Sequence, residues 1–236
     1  MNHDAWLEAL RNRVSREDCS RVHPVTGAVF VPIVAEARHI DDGKEFSAFY
    51  MSVHPVTNQE FQVFLEHSGY VPTDLDGFLK HWVADGVPGA LTQHPVVFVN
   101  VFDALAYCAW ARLFLPTESM WVRAAVGTDG RQYPWGNRRP SPALANLWGA
   151  GIKPVGSYPN TRTVHGCQDM IGNVSEWCNG ISNPPEGRTP VRGSAWMRRT
   201  TAQGRMTGAH VRHLDAHRRN HWTGFRCAWK LERPSG

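Results

Sequence analysis

The residues with most chemical potential lie between Arg192 and Lys230, which hold nine Lys or Arg, four His and one acid, Asp215. A surface of that kind attracts carboxylates, phosphates or sulfates. The histidines, His210, His213, His217 and His221, are spaced 3, 4 and 4 apart. On a helix they could gather a metal. The polar run Arg218–Asn220 reads instead as a turn, so solvated loop histidines are the favoured reading. Trp196 and Trp222 fall in the same stretch and are candidates for stacking on a ligand or a cation. Five cysteines, Cys19, Cys108, Cys167, Cys178 and Cys227, are widely separated with no C-x-x-C. That spacing argues against a zinc ribbon or a thioredoxin motif.

These residues sit in a chain of 236 residues with 42% apolar and 19% charged side chains, enough to bury a core. The formal charge is only +4, so the basic character is largely local to the last forty residues. With 21 Gly, 16 Pro and 10 Trp, many loops and a modest helical fraction are expected. No stretch approaches ~20 uninterrupted apolar residues, so no membrane span is predicted. The N-terminus mixes both charges and lacks an apolar signal core. A cytoplasmic location with reduced thiols is therefore expected.

The elements that must position the chemistry are partly legible. Trp6, Leu7, Leu10 and Val14 predict a short amphipathic helix. Residues 28–34 and 46–52 are rich in β-branched and aromatic side chains and predict strands. Thr57 with Glu60 forms a capping box for a helix over about 58–67, closed by Gly69. Asp103 can cap a helix through ALAYCAWARLF, and Thr117–Glu118 open another through SMWVRAA. Residues 71–95, and the Gly-, Pro- and Trp-rich stretch after 126, read as irregular.

Five blocks, HPVVFVNVFDALAYCAWARLFLPTESMWVRAA, YPWGN, DMIGNVSEW, GFRCA and the earlier PVTNQEFQVFLEHSGY, resemble the formylglycine-generating enzyme family, also called sulfatase-modifying factors. The resemblance covers about 28–230. It implies an α+β fold, the family's variant of the C-type-lectin fold, as one domain over 28–232 after a lead-in of 1–27. The family includes copper-dependent oxidases, iron-dependent sulfoxide synthases and ligand binders, so function has to come from the site.

In the oxidases a cysteine pair follows the G-G-S-[WY] turn. Aligned without gaps, those positions fall on Arg198 and Gln203, and 179–226 contains no cysteine. Copper(I) needs soft thiolates, so copper-dependent formylglycine generation is not expected. The iron enzymes carry a His-rich helical domain ahead of this one. Residues 1–27 hold only His3 and His23, too little for such a domain. Iron at another site stays open, with His165, His210, His213, His217 and Tyr158 as the pool. Cys108 and Cys227 match positions that form a disulfide in some secreted members; two adjacent thiols are preferred here. DMIGNVSEW resembles a structural calcium loop, implying ligands from Ile171, Asn173, Val174 and Glu176. The alternative is that Asn173 and Glu176 bond loop amides. A second family site would begin at Asn146, but 148–159 offers no carboxylate.

The resemblance places 196–222 on the substrate- or ligand-facing side. Candidate binding residues are Trp177, Trp196, Arg198, Arg199, Gln203, Arg205, His210, Arg212, His221 and Trp222. The leading expectation is binding of an anionic small molecule, peptide or protein on a calcium-stabilised scaffold, one form being a retroelement-diversified variable protein. The rival is a metal-dependent oxidoreductase. No nucleic-acid motif occurs, and basicity alone gives mostly nonspecific affinity.

Overall fold

The computed structural model describes residues 20–34, 40–41, 44–45, 48–84, 86–180, 187–197 and 210–231. The predicted N-terminal helix and residues 198–209 lie outside them. Among the described residues are ten strands and three α-helices. The first four-stranded sheet is antiparallel, in the order β1 (Arg21–Val22), β2 (Val29–Ile33), β5 (Phe49–Ser52), β10 (Ala228–Lys230). Two short strands, β3 (Ile40–Asp41) and β4 (Lys44–Glu45), pair with each other. The second four-stranded sheet runs β8 (Arg212–Asp215), β7 (Arg188–Arg192), β6 (Ser175–Trp177), β9 (Thr223–Phe225). Its β6–β9 pair is parallel, with Trp177 opposite Phe225.

Helix α1 (Asn58–Ser68) begins at the predicted capping box: Thr57 accepts from the Glu60 amide while Glu60 accepts from the Thr57 amide. It stops at Gly69, whose φ of 64° is a left-handed conformation suited to glycine. Helix α2 (Val101–Trp110) starts earlier than the sequence suggested. Asn100 is the cap, and Asp103 closes a second reciprocal box from the third helical position. Helix α3 (Glu118–Val126) is capped by Thr117 as predicted. The apolar run 94–101 forms no strand of its own, although Val96, Val97 and Val99 are buried.

Helices α1 and α2 bury their inner faces on the main core. Phe61 stacks on Tyr107 at 5.9 Å, and Phe225 meets both rings edge-on. A second cluster gathers Trp121 and two alanines of α3 against Ile33, Phe49 and Met51. Arg226, between β9 and β10, joins the two large sheets. All five of its N–H donors are used: on Glu176 (2.7 and 2.8 Å), on the carbonyls of Ser52 and Val53 (3.1 Å each) and on that of Gln168 (2.8 Å).

Candidate ligand pocket

Asn58, the first residue of α1, organises the site although it is buried. Its Nδ2 donates to the carbonyls of Leu91 (2.9 Å) and His94 (3.2 Å). That fixes the amide, so Oδ1 must accept from His81 Nε2 and Trp82 Nε1, each at 2.9 Å. His81 therefore carries its proton on Nε2. Its ring lies on Phe98 at 5.5 Å and 26°. Phe98 is held in turn by its amide donating to the Asn220 carbonyl, with a left-handed φ of 56°. Beyond Phe98 come His221 (6.3 Å) and then Trp196 (5.9 Å from His221). These rings, with Leu91, Pro95, Val97 and Ile152, enclose a pocket of about 240 Å³.

Two anchors hold the walls. Asp103 is fully buried and accepts from Arg219 Nε (2.9 Å) and Nη2 (3.1 Å) and from the Tyr70 hydroxyl (2.9 Å). Arg219 Nη1 reaches the carbonyls of Asp74 and Asp76, which ties the loop leading to His81 to the segment carrying His221. The second anchor is Asn173. Its side chain grips Lys153 through both backbone groups (2.9 and 3.0 Å), and its carbonyl accepts from the Trp196 amide. The DMIGNVSEW loop thus sets two further walls, Ile152 and Trp196.

That use of the loop competes with the calcium expectation. Asn173 Oδ1 already accepts from the Lys153 amide and from Asn146 Nδ2. Both Glu176 oxygens are taken by Arg226, and Oε2 also accepts from Trp121 Nε1 at 2.6 Å. Asn173 and Glu176 are thus committed to protein groups, whereas calcium requires six to eight oxygens. On this geometry no tight calcium site is expected at these four residues. The expected result is that excess chelator leaves Tm unchanged and millimolar calcium does not raise it, as read by thermal unfolding. A rise of several degrees would show native-state binding and reverse this conclusion.

The predicted binding residues divide four ways. Trp196 and His221 line the pocket. Trp177 does not: it is 0% exposed and donates from Nε1 to the Val99 carbonyl, so it is a core residue. Arg212 lies over the Trp222 ring at 5.2 Å on β8, and His210 stands just before that strand. Arg198, Arg199, Gln203 and Arg205 lie outside the described residues. The histidine series lies on a strand and a turn, not on a helix, with His217 against Phe102. Among the described residues no group of three His, Cys, Asp or Glu is placed to hold a metal. Cys108 and Cys227 face each other as thiols at 3.6 Å. Burial pushes the thiols of Cys178 and Cys227 well up, and that of Cys167 to about 11.

Asn58, His81, His94 and Phe98 were not singled out from the sequence. The only signal was two histidines and an aromatic residue inside or beside a segment read as irregular. Burial holds the His81 pKa down at about 4, and also lowers that of His94. Between about pH 4 and the ordinary value near 6.5, the unfolded chain binds a proton at His81 that the folded chain does not. Stability contributed by neutral His81 is therefore present above pH 6.5 and is lost as pH falls toward 4. The loss should be roughly 1–3 kcal/mol, after allowing for partial exposure. Urea titrations of wild type and His81→Leu across that range should differ by this slope; parallel curves would refute it.

The fold is a C-type-lectin-like scaffold, and the pocket on it is built largely by loops. The chain belongs to the family of sulfatase-modifying factor enzyme 1-like domains, whose model matches residues 23–231. It is 34% identical over 176 residues to a hercynine oxygenase of Mycolicibacterium smegmatis, covering 62% of this chain and 40% of that protein. The chain thus spans about two fifths of that relative's length. It is 30% identical over 243 residues to the inactive C-alpha-formylglycine-generating enzyme 2 of Mus musculus, covering 79% of this chain and 76% of that one. Among solved structures, PvdO from Pseudomonas aeruginosa superposes with a TM-score of 0.70 at 21% identity, over 90% of this chain and 98% of its own. Among the described residues no helix is long and apolar enough to cross a membrane.

Proposed function

We propose that this chain is a ligand-binding member of the family that does not use the copper cysteine pair. The observation that carries the reading is the pocket itself, which lies under Trp196 and His221, within the ligand-facing stretch 196–222. The stretch itself carries no thiol, since 179–226 contains no cysteine. The described thiols whose acidity is resolved lie deep in the core, held protonated. The similarity to a relative named inactive supports a scaffold kept for binding. A retroelement-diversified protein is one form of this reading.

The basic character of the segment needs qualification. Arg192 is paired with Glu118, Arg219 with Asp103 and Arg226 with Glu176. Three of the nine cations thus serve the fold, and the field offered to an anionic ligand is weaker than the composition suggests.

The rival reading is an oxygenase, favoured by the similarity to hercynine oxygenase. Elemental analysis of purified protein, with oxygen uptake against candidate thiols, separates the two. The binding reading expects neither stoichiometric iron or copper nor oxygen consumption. Stoichiometric metal that is lost on histidine substitution, together with oxygen uptake, would sink it.

A further inference from the structure

We infer that the pocket between Phe98, His81, Trp196 and His221 takes an uncharged planar aromatic ring, presented by a small molecule or by a side chain of a peptide. This rests on the ligand-binding reading and narrows it to a chemical class.

Three observations carry the inference. First, much of the wall is aromatic. Phe98 and His81 stack on each other, and the tilted rings of His221 and Trp196 follow at 6.3 and 5.9 Å centroid spacings. Aromatic faces and edges reward a planar guest through offset and edge-on contacts that a branched aliphatic group cannot make. The remaining wall is aliphatic, from Leu91, Pro95, Val97 and Ile152.

Second, the pocket lacks groups that would compensate a charge. No Lys, Arg, Asp or Glu lines it. The Asn58 amide is pinned by two carbonyls, so its oxygen faces the imidazole and takes the Nε2 proton, and burial, which lowers the His81 pKa to about 4, disfavours a second proton on Nδ1. All hydrogen-bonding capacity of Asn58 is turned onto protein groups. The Trp196 Nε1 donor has no protein partner among the described residues but carries no charge, so an anion entering this space would lose its water without meeting a cation, which is costly. An ammonium group would meet ring faces but no carboxylate.

Third, the size suits one ring system. About 240 Å³ is below the ~300–1,000 Å³ common for drug-sized sites, and the walls are braced by Asn58, Asp103–Arg219 and Asn173. A preformed slot of this kind loses little order on binding.

The test uses the full chain and three probes: indole, inorganic phosphate and tetramethylammonium, followed by ligand-observed NMR and equilibrium dialysis. Indole should bind. Trp196→Ala should weaken it at least tenfold, and Ile152→Trp, which fills the slot, should abolish it. His221→Ala, at the exposed rim, serves if either of these fails to fold, with a several-fold loss expected. Indole that does not bind up to its solubility limit, or binds equally well to the folded variants, overturns the inference. So does phosphate or tetramethylammonium binding that competes with indole or is lost in the same variants. In that last case ligand binding at the site stands and only its class is wrong. Stoichiometric iron with oxygen uptake would instead reject the binding function, while indole binding still judges the pocket.

Discussion

Glu176→Gln should lower stability by about 3–5 kcal/mol, because it leaves the Arg226 guanidinium charged and without a counterion in a dry core. Both side chains are 0% exposed, so neither can recover water as compensation. The same change weakens the acceptor for Trp121 Nε1 and thereby loosens α3 from β6. At roughly 2–4 °C per kcal/mol for a chain of this size, Tm should fall by about 10 °C. The double variant Glu176→Leu with Arg226→Met should recover a large share of the loss, because it removes both charges together. Thermal unfolding of the three variants decides the matter. A fall under 3 °C for Glu176→Gln, or a double variant no better than the single, would show that the pair does not anchor the sheets.

The second large effect is expected at Asp103. Asp103→Ala removes one side of the α2 capping box, the counterion of Arg219 and the acceptor of Tyr70 in one step. The buried Arg219 guanidinium would lose its short-range counterion and keep only the exposed Asp74 carboxylate at 3.9 Å, which should cost about 3 kcal/mol. Unlike the Glu176 change, this one should also damage the pocket while the sheets stay intact. Arg219 reaches the loop carbonyls at Asp74 and Asp76 that lead to His81, so its release frees one wall from the other. Arg219→Lys in the wild-type background should not preserve the anchor, because a single ammonium cannot span Asp103 and two carbonyls in the fixed geometry of the guanidinium fork. Probe binding measured well below the variant's Tm would test this. Binding retained at wild-type strength in Asp103→Ala would show that the anchor acts on stability alone.

The sequence exposed what depends on neighbours. The Thr57–Glu60 box and the Thr117 cap are local, and both helices lie where they were expected. The start of α2 was misplaced because Asn100 and Asp103 are both good capping types, and only the fold shows which takes the first position. The site was half visible. Trp196 and His221 were found through their place in a recognisable stretch. Trp177 was taken as a binding candidate although it lies opposite Phe225 in the middle of a sheet. Asn58 and His81 were missed because they are 23 residues apart and meet only through a loop without periodicity. The competing use of the proposed calcium ligands was hidden for a related reason: oxygen-bearing side chains at suitable spacing do not reveal that Arg226, 50 residues further on, already bonds Glu176.

Arg226 bonds residues 174, 173, 58 and 50 positions earlier in the chain. During synthesis, Glu176 therefore emerges long before its counterion does, and β5 and β6 wait for β10 and β9. Loop closure over such separations is slow, and strand edges stay unpaired in the meantime. Folding of this domain should depend on the arrival of one residue. A chain stalled just short of 226 would be a substrate for chaperones and proteases, however complete its helices.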